Sequence, residues 1–170
     1  MNQWTVNRLD RKKYEFFIDN EPAGELKYPG WNPYNASLVI YGGDRYEIRR
    51  LNFWKRTYSL LQNEMEIGQM RTNWRGRIDI NLKWDNLSTD YLFRRIGIWK
   101  PVYSLSDASG NDIFSVKAAF RFRNFAYQFT VESSIRSTPE PLDKLLFLLS
   151  VYLTNFLIAK AQSHSTAAIS

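Results

Sequence analysis

The chain has 170 residues, of which 44% are hydrophobic and 16% aromatic, enough for one domain around a single core and too apolar for a disordered chain. Its net charge of +6 favours anionic partners: membrane surfaces, phosphoinositides or nucleic acid. It has no cysteine, which excludes disulfides, thiolate metal sites and cysteine nucleophiles.

The opening MNQWTVNRLDRKKYEFF holds no apolar run of about 7–15 residues, so it does not read as a signal peptide. Gln3–Asn7 is a short candidate strand. Tyr14, Phe16 and Ile18 alternate with Lys13, Glu15 and Asp19, the period of a half-buried strand. The run breaks at NEPAG, and Glu25–Tyr28 returns. Ala36–Tyr41 and Arg45–Arg50 flank Gly42-Gly43-Asp44, a hairpin signal because glycine accepts positive φ without steric cost. Trp54, Tyr58 and Leu60 are assigned to one face of the next strand, with Trp54 inward or on the rim. Glu64–Thr72, Arg77–Trp84, Asp90–Arg95 and Lys100–Asp107 follow. After a turn at ASGND come Ile113–Phe122 and Ala126–Glu132. The count is eleven strands, or twelve with Gln3–Asn7, and the short connections predict antiparallel neighbours.

One sentence is written twice. Residues 46–61 read YEIRRLNFWKRTYSLL and residues 91–106 read YLFRRIGIWKPVYSLS, identical at 8 of 16 positions with an offset of 45. Tyr14 precedes Tyr58 by 44, and Gly24 and Gly68 each follow their tyrosine by ten. The pattern reads as nearly three copies of a four-strand meander. Three such units cannot close a propeller, whereas one barrel removes the sheet edges. Trp54 and Trp99 are expected at equivalent places.

The last element is a helix. Thr138 is the expected N-cap, Pro139 the first helical position, and residues 139–161 the helix of a single domain spanning 1–162, with 163–170 as a flexible tail. Its body, LLFLLSVYLTNFLIA, is apolar in every direction, so it must be enclosed on all sides. At ~1.5 Å per residue those residues, 145–159, reach ~22 Å, short of a hydrocarbon core of ~30 Å, which favours the inside of a barrel over a tail anchor. The expected fold is therefore mainly β: a closed antiparallel barrel of about twelve strands around a buried C-terminal helix.

This organisation resembles the tubby C-terminal-like superfamily, which includes the tubby domain, the phospholipid scramblases and the plant LURP-one-related proteins. The segment YSLSDASG, Tyr103–Gly110, is similar to the tyrosine–aspartate–glycine hairpin of the scramblase and LURP-one branches. The resemblance implies a barrel threaded by its C-terminal helix. The chain departs from scramblases in lacking a palmitoylated cysteine cluster, a proline-rich N-terminal region and an acidic calcium-type segment before the helix, where it reads SSIRSTPEPLD.

Catalytic constellations are missing from the sequence. His164, the only histidine, sits in the tail among Ser and Thr, away from any packed cleft. The acids Glu15, Asp19, Glu47, Glu66 and Asp79 are scattered, and no phosphate-cradling glycine motif occurs. The expectation is no enzyme, no cofactor and no metal. The arginines are more suggestive. Arg49-Arg50 and Arg94-Arg95 match in the repeat, as do Lys55 and Lys100. Adjacent strand residues face opposite ways, so one arginine of each pair points out. Arg49, Lys55, Arg94 and Lys100 are the candidate anion site, expected as a basic band on one side of the barrel. The reading is a non-catalytic module that binds anionic phospholipid headgroups, phosphoinositide among them, or a protein partner. Its expected place is cytoplasmic, peripheral to the inner face of a membrane. The rivals are a lipocalin-like carrier of an apolar ligand and a tail-anchored protein. Nucleic acid is disfavoured, because the aromatics alternate into the core rather than standing beside the arginines.

Overall fold

The structure, a computed structural model, describes residues 2–167 apart from 31, 32, 53, 55, 74, 98–100 and 122–125. Twelve strands run in chain order: β1 (Trp4–Arg8), β2 (Lys13–Ile18), β3 (Glu21–Lys27), β4 (Ala36–Ile40), β5 (Arg45–Asn52) and β6 (Thr57–Gln62), then β7 (Met65–Thr72), β8 (Ile78–Trp84), β9 (Leu87–Arg95), β10 (Val102–Asp107), β11 (Asp112–Arg121) and β12 (Ala126–Ser133). Each pairs antiparallel with the next, β1 to β12 without a crossover. β1 then lies beside β12 with Cα atoms within 8 Å, so the barrel is nearly closed, and no backbone ladder joins the two among the described residues.

Turn chemistry sets the registers. Asp19-Asn20, Asn63-Glu64 and Asp85-Asn86 each place both residues at positive φ, between 48° and 66°. Two consecutive left-handed residues give the hairpin turn whose twist matches the strands, and Asn and Asp tolerate it best after glycine. The break expected at NEPAG is therefore one step earlier, at Asp19-Asn20. Pro22 instead sits at a bulge, where the register shifts between Phe16 and Phe17. Bulges recur between Leu60 and Leu61 and between Leu105 and Ser106, two residues after Tyr58 and Tyr103 as Phe16 is after Tyr14. At two of these places only glycine fits. A Cβ on Gly24 would lie 2.4 Å from the Val39 carbonyl oxygen, and one on Gly68 would lie 2.8 Å from that of Asn81.

α1 (Pro141–Ala167) fills the lumen. Its start differs from the expected one. Pro141 rather than Pro139 is the first helical residue, and Asp143 Oδ2 accepts the Glu140 N–H at 2.9 Å, a capping-box arrangement that Thr138 does not make. Its end also differs: AQSHSTA continues the helix past 161, because no glycine or proline stops it and Ser163 Oγ donates to the Lys160 carbonyl. Phe147 is the hub of the core, with ring centroids 4.9 Å from Trp4, 5.0 Å from Phe16 and 5.8 Å from Phe114. Farther along, Phe156 meets Tyr58 at 5.2 Å and Tyr34 at 5.7 Å. Two polar helix residues are satisfied locally: Ser150 Oγ donates to the Leu146 carbonyl and Thr154 Oγ1 to that of Ser150. By length and apolarity Pro141–Ser163 could cross a membrane, yet 72% of its apolar window is buried inside the barrel.

Candidate functional site

Of the four candidate cations the described residues include Arg49 and Arg94, and these two are not on one side of the barrel. β5 and β9 are four steps apart in a twelve-strand order, so Arg49 and Arg94 stand about a third of the circumference from each other. Their local settings do match: Arg49 pairs across the ladder with Ser59, and Arg94 with Ser104. Arg49 is held by two carboxylates, with its Nη2 2.6 Å from Glu47 and 2.9 Å from Glu64. The bond from Glu64 and then that from Glu47 stabilise the cation, while Arg49 pulls the Glu64 carboxyl below its ordinary range. Arg94 is exposed and lies close enough to Asp112 to lower its pKa, after the stronger effect of Ser104 and Ser106, whose hydroxyls donate to Asp112 at 2.5 and 2.7 Å. Lys55, Lys100 and Trp99 lie outside the described residues. Arg50 is half-buried and covers the Tyr34 ring with its guanidinium carbon 4.5 Å from the centroid, whereas Arg95 is exposed like Arg94 and its Nε donates to the Gly97 carbonyl at the rim.

Trp54 departs from its expected place. It lies in the connection before β6, where strand alternation no longer applies, and is 88% exposed.

A different grouping appears when strand direction is followed. In an up-and-down barrel every second connection falls at the same end. At the end where α1 begins, the tight turns carry Asp19, Asp44, Glu64, Asp85 and Asp107, and Glu140 and Asp143 lead into the helix. At the end where α1 finishes, the connections carry Arg8, Arg11 and Lys12, then Arg56, then Arg75 and Arg77, with Arg94 and Arg95 closing β9. Among the described residues the acids at that end are Asp10 and Asp79, and Arg77 is bonded to Asp79 at 2.9 Å. Arg45, Lys83, Arg136 and Lys144 lie among the acids at the end where α1 begins, so the barrel is polarised along its axis by an excess of one sign at each end and not by exclusion of the other. The helix is oriented to suit, its positive N-terminus at the acidic end and its negative C-terminus at the basic end. Lys160, near the helix C-terminus, donates to Thr72 Oγ1 at 3.2 Å, and burial, then Arg56, lowers its pKa.

Among the described residues, two of the open grooves on the outer wall mix charges along their length. One of ≈ 600 Å³ includes Lys13, Lys27, Arg45 and Arg49, with Glu25 bonded to both lysines behind it. The other, ≈ 590 Å³, sets Arg71 and Arg77 against Asp79, Asp90 and Asp107. Inside, among the described residues, a gap between helix and wall near Tyr58, Met70 and Phe156 measures ≈ 10 Å³, about one water at most.

No family model, no curated protein and no solved structure matches this chain. Sequence reasoning missed the basic end, with Arg8, Arg11, Arg56 and Lys160. The signal was present in the alternation of acidic and basic connections, which emerges only when successive strands are followed up and down.

Proposed function

We propose that the protein is a non-catalytic barrel module that docks on anionic phospholipid headgroups through its basic end. The observation that carries this reading is the segregation of charge along the barrel axis. A basic residue near an anionic leaflet contributes about 1 kcal/mol, fading over ~8 Å at physiological salt. Several arginines on one end can therefore act together, whereas Arg49, neutralised by Glu47 and Glu64 on the wall, adds little. The filled lumen argues against an apolar-ligand carrier, and the enclosure of α1 argues against a tail anchor.

A place peripheral to the inner, anionic face of a membrane, on the cytoplasmic side, suits such a module. The resemblance to the tubby-like superfamily draws support from twelve antiparallel strands around a C-terminal helix. A four-strand unit used three times draws support from the bulges that follow Tyr14, Tyr58 and Tyr103 at the same distance.

Co-sedimentation with zwitterionic and anionic vesicles, at low and high salt, tests the proposal. The wild type should pellet with anionic vesicles at low salt and release at high salt, and Arg75→Glu/Arg94→Glu should not pellet. Equal binding to both vesicle types, or none to anionic vesicles at low salt, refutes it.

A further inference from the structure

The two ends share one ingredient and differ in another. Each exposes apolar side chains: Leu87 is 70% exposed at the acidic end and Trp54 88% at the basic end. At the acidic end Leu87 is flanked by Asp85 and Asp90, and Met65 by Glu64 and Glu66, so approach to an anionic surface would be repelled. At the basic end the apolar tips are interleaved with arginine. Leu9 stands between Arg8 and Asp10 with Arg11 next, Trp54 shares its connection with Arg56, and Ile96 follows Arg94 and Arg95. Leu51, three residues before Trp54, is exposed as well. Arg56 has φ 51° and its carbonyl accepts the Thr72 N–H of β7 at 3.2 Å.

An exposed tryptophan bordered by cations suits one environment well. Its ring is large and apolar with a single polar N–H, and the headgroup region of a bilayer accommodates both while attracting the neighbouring charges. We propose that the protein docks end-on, with Trp54 and Leu51 inserted among the headgroups of an anionic bilayer and the central helix standing across the membrane plane. This rests on the proposed anionic-surface reading and adds to it an anchor and an orientation.

The chain has no cysteine, so a single introduced one carries a nitroxide at a unique place. Leu51→Cys leaves Trp54 in position and reports from the basic end; Leu87→Cys reports from the acidic end. With anionic vesicles, the label at 51 should become more accessible to oxygen and less to a water-soluble nickel chelate, and the label at 87 should stay aqueous. Trp54→Ala should weaken vesicle affinity by roughly ten-fold, a factor equivalent to ~1.4 kcal/mol. If the protein binds vesicles while both labels stay aqueous, or while the label at 87 is the one protected, end-on docking is overturned and the charge reading survives. If it binds no anionic vesicle, and instead associates head to tail with itself at low salt, both fall.

Discussion

Replacing Phe147 with alanine tests whether α1 is the core of this barrel or a passenger that another environment could receive. Phe147 is 0% exposed and lies between Trp4 and Phe16, from the paired strands β1 and β2, and Phe114 of β11, across the seam where β1 meets β12. Truncating such a ring removes its transfer free energy and leaves a cavity among rings whose strands are held in place by their ladders, a cost of ~3–5 kcal/mol. The whole fold is worth about 5–15 kcal/mol, so the loss is a large fraction of the total. In urea, with a slope of ~1–3 kcal/mol/M, the midpoint should fall by about 2 M with the slope unchanged. Phe120→Ala is the control, since that ring is 40% exposed and stacks edge-on against Tyr127 at 5.3 Å. It should shift the midpoint far less. Equal shifts for the two variants, or a cooperative and unshifted transition for Phe147→Ala, would refute the helix-as-core argument.

Three further outcomes follow from the geometry. Gly68→Ala should destabilise by ~1–3 kcal/mol in thermal melts, because the new Cβ meets the backbone carbonyl oxygen of Asn81 at 2.8 Å and cannot be relieved by a rotamer change. Asp112 has its pKa lowered by the Ser104 and Ser106 hydroxyls and then by Arg94, so its stabilisation is present above the ordinary aspartate pKa of ~3.9 and lost as pH falls through the lower folded value. Acid titration followed by circular dichroism should show that loss, and Asp112→Asn should flatten it. Tyr58→Ala should cost ~3–5 kcal/mol while Trp54→Ala leaves folding stability within about 0.5 kcal/mol, a contrast in denaturation midpoints that measures how differently the strand residue and the connection residue before it are placed.

Much of the fold was legible because two periods are written plainly. The alternation through Tyr14, Phe16 and Ile18 is the buried face of β2, and the all-round apolarity of residues 145–159 left only enclosure as a solution. Where local chemistry competes with tertiary contact, the sequence misleads. Pro22 and Gly24 read as a turn, but the turn belongs to Asp19-Asn20. The proline occupies a bulge and the glycine admits the neighbouring strand's carbonyl. Trp54 continues the alternation of Tyr58 and Leu60 on paper, yet β6 begins only at Thr57. The candidate cations Arg49 and Arg94 were linked by a repeat, and an offset of four strands, from β5 to β9, moves a residue around the barrel instead of stacking it beside its copy. The basic end was hidden for the complementary reason. Its residues are far apart in sequence and share only the direction in which their strands point.

The most direct test of the account separates the position of charge from its amount. Arg56→Glu/Arg75→Glu and Arg45→Glu/Lys83→Glu change the net charge equally, the first pair at the basic end and the second at the acidic end. Their affinities for anionic vesicles, measured side by side at low salt, should differ sharply. The first variant should lose binding and the second should bind nearly as the wild type does. Equal losses in the two variants would mean that the protein responds to an anionic surface only through its overall charge, and would contradict a docking end.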